Sequence, residues 1–189
     1  MNRIALLAGA SAAAVLASLA AVGGSAAFAA DGPSGIARYE RVQAKVVYTV
    51  YAPTRAFGLP RTGFQRNGCG GDRDDFITVN YGSQAELTDQ SITLQESPGS
   101  FGCVDGPDGV GPAGTFRVNG APAKVMGACA GGKSTCRKST AELVGQSAYT
   151  VVTLPGSASR PTTTYVEVYS QAMSLAEIKA FVRGLVPAT

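Results

Sequence analysis

Apolar and polar positions alternate with a period of two along much of this chain. Val42, Ala44, Val46, Tyr48 and Val50 alternate with polar or amphipathic residues, the pattern of a half-buried strand, and Pro53 ends it. Residues 76–81 and 91–95 are rich in β-branched side chains and predict two further strands. Residues 115–118 and 123–126 flank Asn119-Gly120, a dipeptide that strongly favours a two-residue hairpin turn. Two more strands are expected at 148–154 and 163–169, joined across Pro155-Gly156 and Pro161. Between them, the Gly/Arg-rich stretch from Pro53 to Asp75 and the Gly/Pro-rich stretch 97–114 predict long loops.

Near the C-terminus the period changes to that of a helix. Ser174 and Glu177 have capping-box spacing, in which each side chain satisfies a free backbone N–H of the first turn. Leu175, Ile178, Phe181, Val182 and Leu185 then fall on one face, with Glu177, Lys179 and Arg183 away from it, and Pro187 is the expected stop. The pattern predicts an α+β fold: an antiparallel meandering sheet of about six strands with a C-terminal helix packed on one face.

The first 29 residues predict a different fate. Arg3 begins an uncharged apolar stretch that runs to Ala27-Phe28-Ala29, a small-x-small site of the kind a signal peptidase cuts. No basic stop-transfer cluster follows, and Gly23-Gly24-Ser25 dilutes the hydrophobicity, so a cleaved export signal is expected rather than an anchor. Residues 30–40 read as a flexible leader, and 41–189 as a single domain with no membrane span in the mature chain. The expected location is secreted or periplasmic.

Composition narrows the chemistry. The formal charge of +3 falls to +2 when Arg3 is removed with the leader, too little to imply a nucleic-acid partner. Histidine is absent, which removes Ser-His-Asp and Cys-His nucleophile pairs and every histidine-containing metal site. Cys69, Cys103, Cys129 and Cys136 are four cysteines in a chain bound for an oxidising compartment, which predicts two disulfides. Three pairings exist. The local one, Cys129–Cys136, leaves Cys69–Cys103, with stabilisations of about 2.5 and about 4 kcal/mol from chain entropy. The spacing does not fit a zinc ribbon, and no C-x-x-C occurs, so neither a metal site nor redox catalysis is expected.

Two stretches match known motifs in letters alone. Gly127 to Ser134 fits the phosphate-loop pattern G-x-x-x-x-G-K-S, but cysteines bracket Lys133-Ser134, and a disulfide-closed turn is the better account. Leu59-Pro60-Arg61-Thr62-Gly63 has the form of a wall-sorting signal yet lies early in the domain, where cutting would break the fold. Asp72, Asp74 and Asp75, interrupted by Arg73, are expected to be a solvated turn rather than a calcium loop. The candidate binding loop carries Arg55, Phe57, Arg61, Phe64 and Arg66 and no acid, so its guanidinium forks and rings suit an anionic or planar ligand. Lys133, Arg137 and Lys138 are a second basic spot. Glu142 and Glu167 stand apart in sequence, and a dyad of Ser134 with Lys133 or Lys138 has only adjacency behind it.

The order of several short motifs is itself informative. Leu59-Pro60 with Gly63-Phe64, then Val79-Asn80-Tyr81-Gly82, Val118-Asn119-Gly120 with Ala123-Lys124-Val125, Tyr149-Thr150-Val151, and Ser174-Leu175-Ala176-Glu177-Ile178 follow one another over about residues 45–186. This series resembles a bacterial extracytoplasmic domain family of unknown function, with its L-P-x-G-[YF], V-N-G, Y-T-[LV] and S-L-x-E-[LI] motifs. The resemblance implies a half-barrel similar to those of lipoprotein carriers and envelope-stress sensors. It also implies export, or a position outside the membrane on anti-sigma-like proteins, and it supplies no catalytic residues. The chain departs from the pattern by the extra residue in Leu59–Gly63, by its cysteines and by lacking an anchor.

The expectation is therefore an exported, non-enzymatic domain of the bacterial envelope or medium, without cofactor or metal, that binds a protein, lipid or other apolar ligand between sheet and helix. The alternatives are a secreted protease inhibitor presenting the Cys129–Cys136 loop or the 53–68 region, and a hydrolase working without histidine.

Overall fold

Asn119 and Gly120 both take positive φ, 49° and 82°, as a type I′ hairpin turn requires. In this computed structural model, which describes residues 33–68, 76–86, 88–99, 111–129 and 143–189, the turn joins β5 (Gly111–Val118) to β6 (Ala121–Cys129). Val118 faces Ala121, and a bulge between Pro112 and Gly114 breaks the alternation so that Ala113, Phe116 and Val118 all reach the core.

Around that hairpin stands a seven-stranded antiparallel sheet in the order β2-β3-β4-β8-β7-β6-β5. Its other strands are β2 (Arg61–Asn67), β3 (Phe76–Gly82), β4 (Ser91–Pro98), β7 (Leu143–Leu154) and β8 (Thr164–Gln171). The α+β reading holds, but a single meander of six strands does not. Two meanders, β2-β3-β4 and β5-β6-β7-β8, join through their last members, β4 and β8, at the centre. Their register sets Leu94 opposite Val168 and Glu96 opposite Val166.

One face of the sheet carries the core. Ile77, Val79 and Tyr81 of β3, Ile92 and Leu94 of β4, Val166 and Val168 of β8, and Val152 and Leu154 of β7 are all buried. The helix α2 (Leu175–Arg183) packs on this face as expected. The capping box is present, with Ser174 Oγ accepting from Glu177 N–H and the Glu177 carboxylate accepting from Ser174 N–H. Ile178, Phe181 and Val182 are buried, and the Phe181 ring meets Tyr81 edge-on with centroids 6.1 Å apart. The helix ends earlier than the sequence predicts. Gly184 caps it, and Leu185 and Pro187 belong instead to β9 (Leu185–Pro187), paired with β1 (Tyr51–Pro53).

The N-terminal segment also departs from expectation. Residues expected to be a flexible leader form α1 (Pro33–Gln43), with Pro33 at the start, where its missing N–H is harmless. Tyr39 is fully buried and its hydroxyl lies 2.5 Å from that of Tyr81, so α1 docks on the same sheet face as α2. The strand predicted over 42–50 does not form. Its alternation buries Val46, Tyr48 and Val50, but the backbone there finds a side chain in place of a neighbouring strand. The Gln43 amide donates to Tyr48 O (2.8 Å) and accepts from Val50 N–H (2.6 Å), and Tyr51 N–H donates to the Glu96 carboxylate (2.9 Å). Likewise, the loop expected from Pro53 to Asp75 contains the edge strand β2, and its first residue, Pro53, ends the short β1. Among the described residues no helix is long and apolar enough to cross a membrane.

Candidate functional site

The opposite face of the sheet collects tyrosines around one acid. On β8, Thr164, Val166 and Val168 point to the core, so Tyr165, Glu167 and Tyr169 point the other way. Tyr149 of β7 is the cross-strand partner of Tyr169, their rings 4.8 Å apart and tilted by 37°. Its hydroxyl donates to Glu167 Oε1. On the other side of β8, Thr93 stands opposite Tyr169 and Gln95 opposite Glu167.

Glu167 is only 2% exposed although it lies on the face away from the helices. Burial pushes its carboxyl above the ordinary range, and the hydrogen bond from Tyr149 offsets this only in part. The same burial, then the bond to Glu167 and its charge, hold the Tyr149 hydroxyl far above an ordinary phenol. Tyr165 is raised by burial and by Glu167, and Tyr169 is pushed up to about 12 for the same reasons in the same order. At neutral pH the three phenols are therefore protonated. Four buried oxygens here, Glu167 Oε2, Gln95 Oε1, Ser97 Oγ and the Tyr169 hydroxyl, have no hydrogen-bond partner.

A cleft of about 410 Å³ opens beside the tyrosine pair, toward the end of the sheet where Ser91 faces Gln171. Tyr149 and Tyr169 form one wall, and Gln84, Thr93, Ser147 and Gln171 supply amides and hydroxyls. Several of these are held in place. Gln84 Nε2 donates to Thr93 Oγ1 (2.8 Å), Thr93 Oγ1 to Asn80 Oδ1 (2.9 Å), and Gln171 Nε2 to Glu86 O (2.6 Å). The lining combines flat aromatic surface with neutral hydrogen-bonding groups.

The second buried acid, Glu96, is fully enclosed on the core face, where burial raises its carboxyl well above the usual range against the pull of Tyr51 N–H. Because Glu96 pairs with Val166 and Gln95 with Glu167, the two carboxylates lie on opposite faces of the sheet and form no acid–base pair.

The predicted binding loop is assembled differently from the expectation. Arg61 and Phe64 come together on and beside β2, joined by Arg38 of α1. The Arg38 and Arg61 guanidiniums lie 4.9 and 5.8 Å from the Phe64 ring centre, and Tyr39 meets that ring edge-on at 5.0 Å. Arg38 also donates to Phe64 O (3.0 Å) and Arg61 to Gly35 O (3.3 Å). These forks fasten α1 to the edge strand. Phe57, at φ 53°, packs half-buried against the core, and Arg55 and Arg66 are exposed outside the Phe64 cluster. The sorting-like Leu59–Gly63 stretch runs into β2, with Pro60 O accepting from Gly82 N–H.

Gly127, the first residue of the phosphate-loop match, lies in β6 between two antiparallel neighbours, not on the parallel strand such a loop follows. Residues 130–134 of that match, Cys69, Cys103 and Cys136, the Asp72–Asp75 stretch, Arg137, Lys138, Glu142 and the export signal lie outside the described residues, and of Ala128 and Cys129 only the backbone is described. Among the described residues no three acidic or cysteine side chains group as a metal site.

Sequence reasoning missed the tyrosine cluster, although its signal is present. Tyr165-Val166-Glu167-Val168-Tyr169 alternates perfectly, and on a strand this puts an acid between two phenols on one face. No family model matches the chain, and neither a curated protein nor a solved structure matches it.

Proposed function

We propose that this protein is an exported, non-enzymatic binding domain of the bacterial envelope or medium, and that it takes a small polar ligand with a flat apolar side in the Tyr149–Tyr169 cleft. The observation that carries the reading is the lining itself: two tyrosine rings beside neutral amides and hydroxyls, on the sheet face away from the helices. Such a surface stacks on one side of a ligand and hydrogen-bonds its rim. It suits a hydroxylated or amidated molecule better than an acyl chain, which would take the remaining amide and hydroxyl groups of the lining out of water without pairing them.

Export rests on the leader sequence and on the resemblance to extracytoplasmic domains. The non-enzymatic reading draws support from the absence of histidine and from the separation of Glu96 and Glu167 by the sheet. The inhibitor alternative draws less support from 53–68, because β2 (Arg61–Asn67) takes up half of that stretch.

A screen of neutral, cationic and anionic small molecules against the mature chain, followed by amide NMR, tests the reading. Binders are expected to shift Thr93, Ser147 and Tyr169, and Tyr169→Ala to abolish those shifts. Binders that move only resonances of α2 or β2 would place the site elsewhere and sink the proposal.

A further inference from the structure

We infer that the ligand of this cleft carries an amine, and that Glu167 receives it as an ammonium ion. The inference rests on the cleft being the ligand site and adds the charge of what enters it.

The first argument is hydrogen-bond supply. Glu167 Oε2 and Gln95 Oε1 are buried acceptor oxygens without partners, directly opposite each other on the same face of the adjoining strands β8 and β4, and the Ser97 and Tyr169 hydroxyls on those strands are unpaired as well. Buried polar atoms are nearly always paired, and an ionised Glu167 and the Gln95 oxygen bring no proton of their own, so a donor from a ligand fits between them. A primary ammonium brings three N–H donors and no acceptor.

The second argument is charge. Glu167 is a buried carboxyl without an ion pair to any described lysine or arginine. On this face the neighbouring strands present Tyr149, Val151 and Thr153 from β7, Gln95 and Ser97 from β4, and Thr78 from β3. Lys124 of β6 lies a strand further off, beyond Val151, and is exposed. Burial raises the carboxyl of an acid so placed, and an arriving cation offsets that by favouring its charged form. The electron-rich faces of Tyr149 and Tyr169 favour the same sign of charge.

The third argument is access. Tyr149 lines the cleft and also bonds Glu167, so the carboxyl stands directly behind the cleft wall. The half-buried Tyr169 ring must turn aside for an amine on a short stem to pass from cleft to carboxyl. An anionic ligand would meet Glu167 with like charge. A divalent metal would find one carboxylate where it prefers several.

The test uses the mature chain and three matched probes at about pH 8: phenethylamine, 2-phenylethanol and 3-phenylpropionate, with calcium chloride titrated separately, all followed by NMR. The amine is expected to bind about tenfold or more tighter than the alcohol, a charged hydrogen bond's worth, and the carboxylate weakest. Glu167→Gln, which keeps the side chain's volume, should bring the amine down to the affinity that the same variant has for the alcohol. The amine preference should also shrink as pH is lowered and Glu167 takes up its proton.

Equal binding of amine and alcohol, both lost in Tyr169→Ala, overturns the amine and leaves the cleft as a neutral site. No shift of any cleft resonance by any probe overturns both. Saturable calcium binding that Glu167→Gln abolishes overturns the amine in favour of a metal ion.

Discussion

Tyr149 reaches diagonally across the β7–β8 pair to hydrogen-bond Glu167, which stands opposite Val151 and one outward-facing position away from Tyr149's own partner, Tyr169. The phenol of one strand thereby covers the acid of the next. Removing the phenol's hydroxyl leaves Glu167 Oε1 as bare as Oε2. Tyr149→Phe should therefore cost about 1–3 kcal/mol, the penalty of an orphaned buried polar group. Glu167→Gln should cost less than about 1 kcal/mol, because an amide still accepts from Tyr149 and never has to ionise. Urea unfolding at neutral pH checks both. Equal costs would mean that the contact contributes through packing alone.

The two buried acids set the pH dependence of stability. Both Glu96 and Glu167 are raised above the ordinary 4.5 in the folded chain. The folded state thus holds their protons at pH values where the unfolded state has released them. Their contribution is fully present below the unfolded value and is lost as pH rises through the folded ones. Melting temperature should fall from mildly acid to neutral pH, and Glu96→Gln should flatten that slope. A rising slope over this window would contradict the enclosed position of Glu96.

Gly82 and Gly120 separate crowding from backbone strain. Both take positive φ, 77° and 82°. A Cβ on Gly120 meets nothing within 4 Å, whereas one on Gly82 would lie 2.1 Å from Gln90 O. Gly120→Ala should cost only the left-handed penalty of about 1–2 kcal/mol. Gly82→Ala should cost more, since the β3–β4 connection must move to make room. Thermal unfolding of the two variants decides it, and similar losses would remove the crowding argument.

The cysteine pairing is open to a direct check. Non-reducing peptide mapping of the oxidised mature chain should recover Cys69 with Cys103 and Cys129 with Cys136. Removing the long-range bridge should cost about 4 kcal/mol, the short one about 2.5. Crossed pairs would redraw the loops at the open end of β6.

The elements visible in the sequence are those whose signals are local. The Asn119-Gly120 turn, the Ser174–Glu177 capping box and the alternation of β3, β4, β7 and β8 each arise from backbone chemistry within a few residues. Residues 42–50 show where local reading fails. Alternation there marks Val46, Tyr48 and Val50 as buried but also marks the exposed Ala44 and misses Gln43 and Thr49, and burial pattern does not say what pairs the backbone. Gln43 and Glu96 do so with side chains, and the segment is no strand. Helix α1 was hidden for a similar reason, since its inward residues gain their partners only from β2, β3 and the turn after it.

By itself the sequence determined the α+β class, the hairpin, the final helix and the absence of histidine chemistry, because composition and short-range periodicity are properties of the chain alone. Tertiary structure decided that β4 and β8 meet at the centre of the sheet, and everything about the site follows from that pairing. Gln95 comes opposite Glu167, Tyr149 reaches Glu167 from β7, and Glu96, one residue along, is sent to the far face. Residues from 93 to 169 become neighbours only when long-range strand registers are fixed, and those depend on how two meanders bury a shared core rather than on any local motif.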